Sequence, residues 1–186
     1  KQTKIANFKP IFGCEMYVAR RGNRRLMEQR EDQSGWHLVV LAKNEKGYHN
    51  LIKLVSRAWT DGFYMRPRTD HADLELFHEG LIVCSACIGG EIPRKILNGQ
   101  IEEAEKAIKW FKRVFGEDYY LELQRHEVTD PEIRANRDTF PLQQTANKVI
   151  VELARKHGVK LICTNDVHFV EEENAEAHDR LICLST

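Results

Sequence analysis

Hydrophobic and polar positions along the chain follow two periodicities. Short segments are continuously apolar or alternate with polar residues, which is typical of strands, and longer segments repeat apolar residues at helical spacing. Segments 10–19 and 36–43 are predicted strands, and the polar stretch 20–35 between them has no apolar stripe. We therefore expect the two strands to form an antiparallel hairpin with a long loop.

Strands and helices then alternate to the end of the chain. Further strands are predicted at 81–86, 119–123 and 160–164. Helices are predicted at 46–59, 70–78, 101–115 and 171–184, and another begins at Thr139 and Pro141 and ends at Gly158. This order predicts an α/β protein with a largely parallel sheet, forming a single domain over 1–186. The pattern does not distinguish an open sheet from a barrel, but in both the chemistry is expected at the carboxyl ends of the strands.

The composition narrows the class of protein. The chain is 42% hydrophobic and 30% charged, which suits a soluble globular domain. Its 28 basic and 28 acidic residues cancel, so charge gives no support for DNA binding by this segment alone. Five cysteines, an odd number, do not indicate a disulfide framework and favour a reducing cytoplasm. There is no apolar run that could span a membrane, and because the chain begins at Lys1 we expect a piece of a longer protein.

Two candidate ligands follow the strand predicted at 160–164. Asp166 and His168 are two positions apart, so a carboxylate and an imidazole could face the same opening and bind one cation. The alternative is that Asp166 caps the following turn and His168 lies on the surface.

A cysteine follows another predicted strand. Cys87 lies just before Gly89 and Gly90, and its thiolate is a ligand that zinc accepts. Cys84 and Cys87 also form a C-x-x-C motif, but a redox pair normally opens a helix, whereas Cys84 falls inside a strand. We predict Cys84 to be a core residue, together with Cys163 and Cys14.

An acid interrupts the first apolar strand. Glu15 shares a face with Tyr17 if the strand alternates strictly, and it either meets solvent or binds a cation inside the protein. His37 begins the partner strand of the hairpin, so the antiparallel return can bring it close to Glu15. The alternative to a metal ligand is that His37, taken alone, has a structural role at the start of its strand.

The remaining basic groups are weaker candidates. His126, beside Arg125, follows the strand predicted at 119–123 and could contact phosphate or DNA. The other five histidines fall on predicted helices at mostly exposed positions and are assigned no role. Five arginines lie between positions 20 and 30, but neighbouring acids dilute their charge, so we predict a solvated loop there.

Several of these segments, in this order, resemble a known family. The stretches are PIFGCEMY at 10–17, HLVVLAKN at 37–44, SACIGGE at 85–91 and TNDVHF at 164–169. Together they resemble the PHP (polymerase and histidinol phosphatase) domain, in the branch found in the alpha subunits of bacterial replicative DNA polymerases. Several blocks in one order are more specific than any single motif.

The resemblance implies a fold and a metal site. The fold is a distorted (β/α)7 barrel, incomplete here because the family's first strands lie upstream of Lys1. A multinuclear cluster of zinc and/or manganese is expected at the strand ends. The implied ligands in this sequence are Glu15, His37, Cys87, Asp166 and His168. The last two are expected to take part in catalysis as well.

The resemblance also implies an activity, which is 3′-to-5′ exonucleolytic proofreading in some members. The family's opening His-x-His block, and the Asp and His after it, are expected upstream of Lys1. We therefore expect little or no exonuclease activity from this segment alone. The polymerase carboxylates are expected in a downstream domain, and DNA and other replicase subunits are the expected partners, in the cytoplasm and without a membrane.

Three alternatives remain open. The domain could be a structural module that stabilises the polymerase or docks another subunit, which suits its neutral charge. It could be a stand-alone PHP phosphatase acting on a small phosphate ester. The third alternative is a thiol oxidoreductase built on Cys84 and Cys87.

Overall fold

A mixed β-sheet with helices forms the fold in a computed structural model that describes residues 9–127, 135–171 and 173–184. The strands in this part of the chain are β1 (Gly13–Ala19), β2 (Gly35–Ala42), β3 (Phe63–Tyr64), β4 (Arg66–Thr69), β5 (Leu81–Cys84), β6 (Tyr119–Gln124) and β7 (Lys160–Thr164). The α-helices are α1 (Glu45–Thr60), α2 (His71–Leu76), α3 (Glu91–Leu97), α4 (Ile101–Phe115), α5 (Phe140–His157) and α6 (Asn174–Cys183).

The sheet contains both parallel and antiparallel neighbours. Its order is β3-β4-β1-β2-β5-β6-β7. The predicted hairpin is confirmed, since β1 and β2 pair antiparallel, with Tyr17 opposite His37. However, β2 is also antiparallel to β5, and β3 is antiparallel to β4, so the prediction of a largely parallel sheet is wrong for half of the pairings. The pairs β1–β4, β5–β6 and β6–β7 are parallel.

The two faces of the sheet differ because side chains alternate along each strand. One face is apolar and contributes Met16, Val18, Leu38, Val40 and Val83 to the core. Buried side chains of α1, α4 and α5 belong to the same cluster, including Leu54, Ile108 and Ile150. The opposite face carries Glu15 and its neighbours, and the candidate site lies there.

Local sequence signals set the ends of the longer helices. Asn44 caps α1 by accepting a hydrogen bond from the Gly47 backbone N–H at 2.9 Å. Gly47 is required there, because a Cβ would lie 1.7 Å from the Gly80 carbonyl oxygen. The predicted end of α5 is confirmed: Gly158 adopts the left-handed conformation, with a φ of 61°. No helix in the described ranges is both long and apolar enough to cross a membrane.

Some elements differ from the prediction. α3, β3 and β4 were not predicted, because each is short and two of them contain a proline. Cys84 is buried as predicted, but Cys163 is exposed, since it lies on β7 at the edge of the sheet. The histidines on helices were predicted to be mostly exposed, but the His157 side chain is only 11% exposed and pairs with Glu105.

The arginine-rich loop between β1 and β2 is not simply solvated. Arg24 is only 6% exposed, and its guanidinium lies 2.9 Å from Asp70 and 3.2 Å from Asp73. Arg68, fully buried, donates to the carbonyl oxygens of Arg24, Leu26 and Gly62. The prediction of a solvated loop is therefore wrong at Arg24, whose charge is neutralised inside the protein and is not offered to a phosphate backbone.

Replacing Arg24 tests this buried network. We expect Arg24→Ala to lower the free energy of unfolding by about 3–5 kcal/mol, because it leaves Asp70 buried without its cation, while Asp73 keeps only Arg57. Urea denaturation of the chain, followed by tryptophan fluorescence, measures the change. Arg25→Ala is the matched control, because Arg25 is exposed and contacts only Asp61 among the described ion pairs. Equal stability of the two variants would contradict the role of the network.

Candidate metal centre

The hairpin brings an acid and a histidine together. Oε1 of Glu15 lies 2.6 Å from Nδ1 of His37. The pairing of β1 with β2 causes this, because Glu15 is opposite Val39 and Tyr17 is opposite His37, which puts Glu15 and His37 on one face and one step apart. The convergence predicted from the sequence is therefore present. Both side chains are partly exposed.

The loop after β5 adds a thiol to this pair. Sγ of Cys87 lies 3.5 Å from Nδ1 of His37. The loop is fixed to β2 by a hydrogen bond from the His37 backbone N–H to the Gly89 carbonyl oxygen at 3.1 Å. A Cβ on Gly89 would lie 3.2 Å from the His37 ring, so the glycine allows the close approach. One ligand atom from each of Glu15, His37 and Cys87 lies within 4.8 Å of the other two.

These contacts change the proton affinity of the pair. The hydrogen bonds with Cys87 and with Glu15 raise the pKa of His37 to about 10, although burial opposes the change. In return, the hydrogen bond with His37 lowers the pKa of Glu15 below its usual value, and the nearby His168 contributes to the same direction. An imidazolium therefore lies beside a carboxylate and a thiol group at neutral pH.

Asp166 lies near two members of this cluster. It follows β7 in a left-handed conformation, with a φ of 51°. Asp166 lines a cavity of about 190 Å³ that Glu15 and Cys87 also line. It also lines a neighbouring cavity of about 650 Å³. Asp166 is therefore positioned between the two cavities.

His168 lines the larger cavity and is exposed. Its Nδ1 lies 2.6 Å from the Asp166 carbonyl oxygen, which can only accept, so Nδ1 carries a proton and Nε2 is the ring nitrogen that could bind a ligand. His178, for which the sequence predicted no role, lines the same cavity. The structure thus clusters three of the five predicted ligands, with Asp166 lining the cavity of Glu15 and Cys87 and His168 lining the neighbouring one.

The sequence prediction missed part of the cavity wall. Glu122, Gln124 and Thr164 line the smaller cavity, and Glu122 is only 4% exposed. The signal for Glu122 was available, because it is an acid at an alternating position of an apolar strand, as Glu15 is. Cys84 lines the cavity too, but burial raises the pKa of its thiol to about 12, so it stays protonated.

His126 and Arg125 lie at the carboxyl end of β6, as predicted. Nε2 of His126 lies 2.7 Å from the Asn165 carbonyl oxygen, and Nδ1 lies 2.9 Å from Nε2 of Gln143. Both ring nitrogens therefore bind protein groups that connect β6, α5 and the loop after β7. Arg125 is exposed, with its guanidinium 5.4 Å from the centre of the Phe140 ring, and forms an ion pair with Glu127.

The donor atoms at this site suit a transition metal. A thiolate and an imidazole are ligands that zinc binds well, and the carboxylates of Glu15 and Asp166 also suit manganese. In addition, Oε1 of Gln124 is buried and lacks a hydrogen-bond partner among the described residues. A cluster of three kinds of ligand atom, next to a cavity wall with an unpaired oxygen, fits a cation better than an apolar molecule.

Comparisons with known proteins find a family and relatives for this chain. The family model of the PHP domain matches residues 1–126, which include Glu15, His37 and Cys87. The chain is 45% identical to the DNA polymerase III subunit alpha of Borreliella burgdorferi, over 100% of the chain and 15% of the relative. The corresponding proteins of Treponema pallidum and Thermus aquaticus are 37% and 36% identical over 100% of the chain. The chain spans about 15% of the length of these relatives.

The His37 proton can be followed in the metal-free chain. Because the folded pKa of about 10 exceeds the unfolded value of 6.5, the charged His37 contributes stability fully below about pH 6.5 and loses it as the pH rises through 10. With a chelator present, NMR titration of the imidazole should give a midpoint far above 6.5. Glu15→Gln should move the midpoint down, whereas Glu45→Gln on the exposed start of α1 should not. A midpoint near 6.5 in the unsubstituted chain would contradict the described contacts.

Proposed function

The chain belongs to the PHP domain family, and on this premise we propose that it is part of the alpha subunit of a bacterial DNA polymerase III. The relatives with that name align with the whole chain, which supports the proposal. DNA synthesis in replication is then an activity of the full-length protein, whose other domains carry it. Its substrate is DNA, its partners are other replicase subunits, and its location is the cytoplasm.

Within that protein the proposed activity of this domain is metal-dependent phosphoester hydrolysis, used to remove nucleotides from a 3′ end. The observation that carries this proposal is the cluster of Glu15, His37 and Cys87, whose ligand atoms lie within 4.8 Å of one another. Asp166 and His168 complete the set of ligands that we propose for zinc and/or manganese. The shared cavity of Glu15, Cys87 and Asp166 supports including Asp166.

The residues of the chain have distinct proposed roles. Bound metals would supply an activated water and hold the phosphate oxygens. The Asp166 carboxylate is proposed to orient a water molecule and to accept a proton, and its position in the lining of both cavities supports this role. Nε2 of His168 is proposed to bind a metal on the side of the larger cavity. Arg125 and His126 are proposed to contact a phosphate or the DNA, and Arg125 is the freer of the two because it is exposed.

We infer that the sheet is part of an incomplete distorted (β/α)7 barrel. The apolar face of the sheet packs against helices, while the face with the ligands would point into the barrel. The remaining ligands of a full cluster would come from strands upstream of Lys1. For this reason little or no exonuclease activity is expected from the segment alone.

A structural or docking role is the second candidate. It is favoured by exposed apolar side chains on β7 and in the segment after it, namely Leu161, Ile162, Val167, Val170 and Leu181. A stand-alone phosphatase has less support, because the relatives named above are polymerase subunits. A thiol oxidoreductase has less still, because the Cys84 thiol is buried and hard to ionise.

Two substitutions in the full-length protein test the proposed site. Asp166→Asn should reduce trimming of the 3′ end of single-stranded DNA by a factor of roughly 10² or more, since it removes a ligand and proton acceptor. Cys87→Ser should lower the content of bound zinc and manganese, measured by elemental analysis. Primer extension by the polymerase domain should be unchanged in both variants.

Matched controls are Asp118→Asn, in a surface pair with Lys43, and Cys183→Ser, on an exposed part of α6. Trimming by Asp166→Asn at the unsubstituted rate would rule out the catalytic role. If Cys87→Ser lowers the metal content but the unsubstituted protein does not trim the 3′ end, the structural role is favoured instead.

A further inference from the structure

A buried carboxylate connects the two loops that carry ligands. We infer that Glu122 is a positioning residue, which fixes the loop of Cys87 and the loop of Asp166 relative to each other. This inference rests on the proposed metal site. It assigns a role to a residue that lies on β6, a strand without any of the five proposed ligands.

The hydrogen bonds of Glu122 reach both neighbouring strands. Its Oε1 accepts a hydrogen bond from the Ala86 backbone N–H at 2.7 Å, directly before Cys87. Its Oε2 accepts from the hydroxyl of Thr164, two positions before Asp166. Its own backbone N–H donates to Oγ of Ser85 at 2.8 Å. One side chain in the middle strand therefore bonds to the exits of both β5 and β7.

Backbone conformation at both exits needs such support. Ala86 has a φ of 62° and Asp166 a φ of 51°, and residues other than glycine rarely adopt this left-handed region. The hydrogen bond of Glu122 holds the N–H of Ala86 itself. At the other exit, Oγ of Thr164 is held where β7 ends. Strained residues at the borders of a site persist when surrounding contacts determine them, and here the contacts converge on one carboxylate.

Glu122 acts through these loops and not as a further ligand. Both carboxylate oxygens already accept hydrogen bonds from Ala86 and Thr164, and Nε2 of Gln124 lies 3.5 Å from Oε2. A buried carboxylate is tolerated because donors surround it. A glutamine has nearly the same shape, but its NH₂ group must face either the Ala86 N–H or the Thr164 hydroxyl. Facing Ala86, this group loses the hydrogen bond of the backbone N–H. Facing Thr164, it requires the hydroxyl to turn and accept, and it lies next to a second donor, Nε2 of Gln124.

The test measures metal affinity in the full-length protein by competition with a chromophoric chelator. Glu122→Gln should bind zinc roughly 10- to 100-fold more weakly, as is usual when a group that orients ligands is lost. With cobalt in place of zinc, the charge-transfer band of the Cys87 thiolate should weaken or shift. Glu152→Gln, on the exposed side of α5, should leave both measurements unchanged.

Thr164→Val gives a second variant that keeps the size of the side chain and removes only its hydroxyl. It should weaken zinc binding in the same direction, and the double variant should lose less than the product of the two single losses, because both act on one contact. This variant decides the matter if Glu122→Gln unfolds, as judged by thermal melting with the metal removed. Affinity equal to that of the unsubstituted protein in Thr164→Val would then overturn the inference.

Failure of the inference is distinguishable from failure of the proposed function. If Cys87→Ser loses zinc while Glu122→Gln and Thr164→Val bind it normally, the metal site stands and the positioning role is wrong. If the unsubstituted protein binds no zinc or manganese and Cys87→Ser changes nothing, the proposed function is wrong and the inference falls with it.

Discussion

The alternation of side chains along each strand is the constraint on which the structure depends. A strand that buries one face against helices must place every second residue on the other face. In this sheet the first face is supplied by residues such as Val18, Val40 and Val83. The second face receives Glu15 and Glu122, which are carboxylates next to apolar neighbours. Such groups need donors or cations around them, so the site follows from the pattern that builds the core.

The direction of β2 in the sheet is the second condition for bringing His37 and Cys87 together. His37 lies at the amino end of β2, and Cys87 follows the carboxyl end of β5. In a wholly parallel sheet the amino ends and the carboxyl ends of the strands lie at opposite ends of the sheet, so these two side chains could not meet. Because β2 is antiparallel to β5, its amino end adjoins the loop after β5, where His37 bridges to Gly90. The mixed sheet is therefore a condition for the cluster and not an irregularity of the fold.

The sequence predicted much of this arrangement and missed parts with an identifiable cause. Long helices such as α1 and α4 have periodic apolar faces and clear end signals, so they were predicted closely. The hairpin also gave the approach of His37 to Glu15. Strand order depends on contacts between distant segments, which periodicity does not encode. For the same reason the sequence did not reveal that Arg24 is buried against Asp70, 46 positions away, or that Glu122 bonds to the backbone of Ala86.

Three acids of the chain, two of them buried and one partly exposed, differ in how their charge is balanced. Asp70 is paired with a permanently charged arginine, and Glu122 is surrounded by neutral donors. Glu15 instead depends on the proton of His37, whose pKa of about 10 reflects Cys87 and Glu15 together. Only the positive charge beside Glu15 can be exchanged for a metal ion. A proton shared by a carboxylate, an imidazole and a thiol can be replaced by a divalent cation that binds the same three groups. In the metal-free chain the contacts of His37 with Glu15 and Cys87 hold the three side chains close together. The proposed site can therefore form before a metal binds.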